Sequence, residues 1–117
     1  MFVRTVGLTG SAELREAVEA AGLTAETEDL GDADLVLVED AAELADLDTR
    51  TPGHAIFALL GEAPDDEELP RPEKVVGFRV VGKRLVEIIE GEETSDTTAQ
   101  AAANLAQALR RQPVRCA

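Results

Sequence analysis

The chain has no tryptophan, no tyrosine, three phenylalanines, one cysteine and one histidine in 117 residues. With so few rings, its core must be assembled from Val, Leu, Ile and Ala. A single cysteine, Cys116, excludes an intrachain disulfide, and one histidine, His54, leaves no Cys/His metal cluster to assemble. The expected setting is reducing and cytoplasmic. Basic residues are also scarce: 11 against 24 acids give a formal charge of -13. Such a field repels phosphate backbones and anionic membranes, so neither nucleic acid nor a membrane surface is an expected partner. No apolar run is long enough to span a membrane, and "MFVRTVGLTG" reads as a first strand rather than a signal peptide. The densest acid cluster, Asp65-Asp66-Glu67-Glu68, lacks the spaced ligands and central glycine of a calcium loop. It is expected to be solvated, and no metal site is expected.

What remains is globular. Apolar residues make up 44% and charged residues 30%, and the length suits one domain, residues 1-117, with a single modest core. "FVRTVGL" predicts a strand, followed by a helix with Ser11 as N-cap, Gly22 as its stop and Leu14, Ala17, Val18 and Ala21 on one face. "LTAETEDL" predicts a short strand. The unbroken Leu35-Val36-Leu37-Val38 run predicts a strand covered on both faces, which points to a parallel α/β sheet. A short helix over Ala41 to Leu47, a buried strand in "HAIFALL" and a surface loop in "GEAPDDEELPRP" follow. "KVVGFRVVGKRLVEIIEG" predicts a hairpin turning at Gly82-Lys83. Thr94 or Ser95 then caps a helix carrying Ala102, Leu105, Ala106 and Leu109 on one face, with Asp96 at its start, Arg110-Arg111 at its end and Pro113 as its stop. "PVRCA" could add a final strand.

From Gly31 onward the chain resembles the NAD-binding domain of the L-3-hydroxyacyl-CoA dehydrogenases. The resemblance is carried by "GDADLVLVEDAAELADLDTRTPGHAIFALL" and above all by "LVEIIEGEETSD", similar to that family's Leu-Val-Glu strand and Thr-Ser-Asp helix start. It implies an α/β fold with a reduced Rossmann-like sheet, mostly parallel with a C-terminal β-hairpin and helices on its faces. It also implies that Glu87 matches the family's catalytic glutamate, that Gly7, Gly10 and Ser11 match its cofactor turn, and that Glu28 or Asp29 matches the acid that grips the ribose.

Departures from the family pattern shape the functional expectation. The G-x-G-x-x-G fingerprint, which lets backbone approach a pyrophosphate at a helix N-terminus, reads "GLTGSAEL" here, and Glu13 adds negative charge at that point. Arg79 stands where the resemblance implies the histidine base, a role that an arginine cannot fill. His54, near a Pro-Gly turn, is expected to have a structural or surface role. The expectation is therefore a non-catalytic structural or docking domain, a piece of a longer dehydrogenase with no cofactor, partnered by a helical dehydrogenase domain or a second copy. The alternative is a component of an NAD-dependent L-3-hydroxyacyl-CoA dehydrogenase whose base and substrate domain lie elsewhere.

Overall fold

A computed structural model describes residues 3–10, 12–60 and 71–116. Ser11, expected as a helix cap and cofactor contact, and the Asp65–Glu68 cluster lie outside the described residues. The strands are β1 (Thr5–Leu8), β2 (Thr24–Glu26), β3 (Leu35–Val38), β4 (Ile56–Leu60), β5 (Val75–Val81), β6 (Leu85–Ile89) and β7 (Gln112–Cys116). The helices are α1 (Ala12–Ala20), α2 (Leu44–Arg50) and α3 (Asp96–Ala108). One sheet runs in the order β2-β1-β3-β4-β5-β6-β7. Strands β1 to β5 are mutually parallel, β6 is antiparallel to β5, and β7 returns parallel to β6. This is a Rossmann-like, doubly wound arrangement carrying the expected hairpin.

Strand alternation divides the core. Leu35, Leu37, Ile56, Ala58, Val76 and Phe78 pack with Leu14 and Val18 of α1 and the alanine face of α3. Val36, Val38, Phe57, Leu59 and Val75, one residue out of phase, pack with Leu44 and Leu47 of α2 on the other face. The apolar runs of β3 and β4 therefore arise because both sides of the sheet are covered. The short helix after β3 is entered through a 3-10 turn at Ala41–Glu43, where the Asp40 carboxylate accepts from the Ala42 N–H at 2.9 Å.

Two helix ends use the same device. Gly22 (φ 84) follows α1, with Gly22 N–H donating to Glu19 O and Leu23 N–H to Val18 O. Arg110 (φ 61) follows α3, with Arg110 N–H donating to Gln107 O and Arg111 N–H to Ala106 O. A left-handed residue with this pair of bonds closes a helix. Pro113 is thus not the stop of α3. It sits in β7, where Gln112 N–H donates to Arg84 O. In a parallel ladder alternate residues bond one neighbour, so position 113 faces the open edge, where a missing N–H costs no ladder bond.

The Thr94-Ser95 segment proves to be a structural knot. Thr94 Oγ1 donates to Val75 O at 2.7 Å and accepts from Gly91 N–H at 2.9 Å. Ser95 is the N-cap of α3: its Oγ accepts from Thr98 N–H at 3.1 Å, while its own N–H donates to Glu73 O. Thr98, fully buried, donates from Oγ1 to Glu73 O at 2.6 Å. These bonds tie the start of α3 to the entry of β5. Thr98→Val, nearly the same shape without the hydroxyl, is expected to cost about 1–2 kcal/mol. It should lower the urea midpoint without changing the slope. An unchanged midpoint would show that the buried hydroxyl contributes nothing net.

Candidate functional site

In a doubly wound sheet, ligands bind outside the carboxyl ends of the parallel strands. Here that edge holds the Thr9-Gly10 turn between β1 and α1 and, beside it, the end of β3. Thr9 stitches the two together: its N–H and Oγ1 both donate to Leu37 O, at 3.3 and 3.4 Å, and its Oγ1 accepts from Glu39 N–H at 3.2 Å. As a consequence the Glu39 carboxylate lies directly over Gly10. A Cβ built on Gly10 would stand 2.5 Å from Glu39 Cδ and 2.7 Å from Oε1. Gly10 does not have a positive φ, so close approach rather than backbone conformation accounts for glycine here. Glu13, exposed in the first turn of α1, is a second carboxylate at this edge.

This arrangement does not fit a dinucleotide pyrophosphate. The helix start that would attract an anion faces one carboxylate over its turn and carries another in its first turn. Gly7 is not part of the turn at all. It lies within β1, opposite Val36 and Glu26, where a Cβ would come within 2.7 Å of Leu30 Cδ2. Its lack of a side chain serves packing beneath Leu30. Of the two ribose candidates, Asp29 spends Oδ1 on the Gly31 N–H at 3.0 Å, and the Glu28 carbonyl accepts from Arg50 at the far end of α2. Sequence reading had no means of finding Glu39, because the contact depends on the register of β1 against β3.

Glu87 lies in the middle of β6, half-buried, directly across from Arg79 on β5. Its Oε2 is 4.0 Å from Cys116 Sγ on β7. The imidazole of His54 is elsewhere: Nε2 lies 3.1 Å from Asp34 Oδ1 at the entry of β4. Leu60 is level with Phe78 and Arg79 with Glu87, so Glu87 is seven residues further along the strands than His54. At ~3.3 Å per residue this is roughly 20 Å. Glu87 and His54 cannot act as a dyad.

Asp34 holds the amino edge of the sheet together. Its Oδ2 accepts from the N–H groups of Arg4 and Thr5, at 2.9 and 3.1 Å. Burial opposes its ionisation, but these two amides and the His54 imidazole outweigh it and hold the carboxyl below its ordinary value. A carboxyl depressed in the folded state stabilises the fold above its unfolded pKa, near 4, and loses that contribution as pH falls through the folded value. Asp34→Asn is therefore expected to lower the urea midpoint at pH 7, with the gap to the unmodified protein closing below about pH 4. A gap that stays constant with pH would rule out the ionised carboxylate as the stabilising species.

Among the described residues no cluster of His, Cys, Asp and Glu could hold a metal ion, and no helix is long and apolar enough to cross a membrane. No protein-family model matches the sequence, and no curated protein matches it. Solved structures do match in three dimensions. (S)-3-Hydroxybutyryl-CoA dehydrogenase from Ralstonia eutropha superimposes with a TM-score of 0.79 at 19% identity, over 97% of this chain and 63% of that protein. The dehydrogenase part of multifunctional enzyme 1 from C. elegans gives 0.76 at 20% identity, over 99% of this chain and 41% of that one. 3-Hydroxybutyryl-CoA dehydrogenase from Escherichia coli K12 gives 0.74 at 20% identity, over 99% and 38%. The chain thus spans between 38% and 63% of the length of these three proteins, and what it shares with that part of each is a Rossmann-like fold.

Proposed function

We propose that the chain is a non-catalytic, structural or docking Rossmann-like domain of a 3-hydroxyacyl-CoA dehydrogenase-type protein, working without NAD in a cytoplasmic setting. The observation that carries this reading is the pairing of Glu87 with Arg79, while the one imidazole is engaged by Asp34 at the opposite edge of the sheet. The position across from the glutamate, where a histidine base would be oriented, is held by an arginine, which is always protonated and cannot act as that base.

The docking half of the reading is supported by the sheet face that bears Glu87. Helix α2 packs over β3, β4 and the start of β5. Beyond it Val81 and Val114 are 38% and 41% exposed, with Leu85, Ile89 and Cys116 half-buried. Three five-residue strand segments cover roughly 240 Å², well short of the ~800 Å² per partner of a standard interface. That area suits one amphipathic helix better than a second copy of the chain, and so favours a helical domain as partner.

The alternative is a component of an NAD-dependent L-3-hydroxyacyl-CoA dehydrogenase completed by groups from elsewhere. It is favoured by the retained Glu87 and by the shared fold. Turnover with NAD and 3-hydroxybutyryl-CoA separates the two readings.

A further inference from the structure

A cavity of about 420 Å³ opens at the carboxyl edge of the sheet, lined by Leu14 of α1, Leu60 at the end of β4, Phe78, Arg79 and Val80 of β5, with Glu13 and Arg111. This volume is that of a small-ligand site. We propose that the cavity binds a small organic monocarboxylate with an apolar tail, its tail against Leu14, Leu60, Phe78 and Val80 and its carboxylate at Arg111. The site adjoins the Gly10 turn, sharing Glu13 with it, and is independent of the docking reading.

Three features set the ligand class. The floor is apolar: Phe78 is fully buried, and Leu60 and Val80 alternate onto its side of the sheet. Arg111 is placed rather than loose, because the left-handed turn at Arg110 delivers it to the hairpin, where its Nη1 donates to Gly82 O at 2.9 Å. The other guanidinium N–H groups are left for a ligand, since Arg111 makes no ion pair among the described residues. Arg79 likewise makes no ion pair or side-chain hydrogen bond among the described residues, but it stands on the sheet face that bears Glu87, so at the cavity itself one guanidinium, Arg111, meets one carboxylate, Glu13. Arg79 alternates to the opposite face from Phe78 and Val80, so it contributes field, and Arg111 supplies the contact. Glu13 at the rim disfavours dianions and favours a single carboxylate over a phosphate ester.

The test is titration with hexanoate, followed by NMR of the methyl groups of Leu14, Leu60 and Val80. Hexanoate is expected to saturate with a dissociation constant on the order of 1 mM. Hexanol, acetate, hexylamine and inorganic phosphate should each bind at least tenfold more weakly. Arg111→Gln should weaken hexanoate about tenfold or more, and Arg79→Gln by a smaller factor. Because Arg111 also holds the hairpin, Val80→Glu provides a second variant at a position already 36% exposed. It should abolish hexanoate binding by like charge while leaving the urea midpoint unchanged. Equal binding of hexanol and hexanoate would overturn the proposal. So would hexanoate shifts that fail to saturate, or that survive both Arg111→Gln and Val80→Glu.

Discussion

Purified chain given NAD and 3-hydroxybutyryl-CoA is expected to form no NADH above the uncatalysed rate. Loss of a positioned general base alone removes about 10²- to 10⁴-fold. Here the deficit is compounded, because a carboxylate covers the turn that would hold the cofactor. The register makes the first part repairable in principle. Arg79 and Glu87 are direct cross-strand partners, a relation in which Cβ atoms stand about 5 Å apart. Arg79→His should therefore bring an imidazole within reach of Glu87, visible by NMR as a new imidazole signal whose pKa falls when Glu87 is replaced by Gln. That variant should still show no turnover. Ordinary enzymatic rates in the unmodified chain, lost in Glu87→Gln, would instead make it an enzyme component.

The elements readable from sequence were those whose local signals agreed with their packing. The Leu35–Val38 run, the Gly82 turn and the Ser95 cap each stand where expected, because burial on both faces, positive φ and an unsatisfied helix N–H are properties of a few adjacent residues. Pro113 misled because a proline after a helix looks like its stop. The actual stop is a left-handed arginine, which no local rule favours. Gly7 misled in the same way: a glycine at the end of a first strand suggests a phosphate turn, yet it answers to Leu30, 23 positions away in the chain. The Thr94-Ser95 segment, which carried much of the family resemblance, holds α3 against the entry of β5 and implies nothing about catalysis. Contacts between distant residues decide the candidate site, which is why its acids were only half visible. Glu13 could be seen beside the turn in the sequence, whereas Glu39 required the pairing of β1 with β3.

That pairing sets the second large expected effect. NAD should bind with a dissociation constant in the millimolar range or weaker, equivalent to no more than about 4 kcal/mol. The pyrophosphate carries negative charge to a turn already faced by Glu39 and followed by Glu13. At a partly solvated edge each carboxylate opposes it by about 1 kcal/mol, and more at low salt, where screening is weak. Replacing both, as Glu13→Gln with Glu39→Ser, is therefore expected to tighten NAD by roughly 30-fold. Glu39→Ser should contribute the larger share, because it also clears the space above Gly10. Added salt should reduce the difference between variant and parent. The Glu13→Gly change separates bulk from charge at the helix start: a gain equal to that of Glu13→Gln means that charge alone is responsible. Calorimetry with NAD and NADH in low-salt buffer measures all of these. Micromolar binding by the unmodified protein would mean that the Glu39 side chain swings away at little cost, and the enzyme-component reading would then take precedence over the docking one.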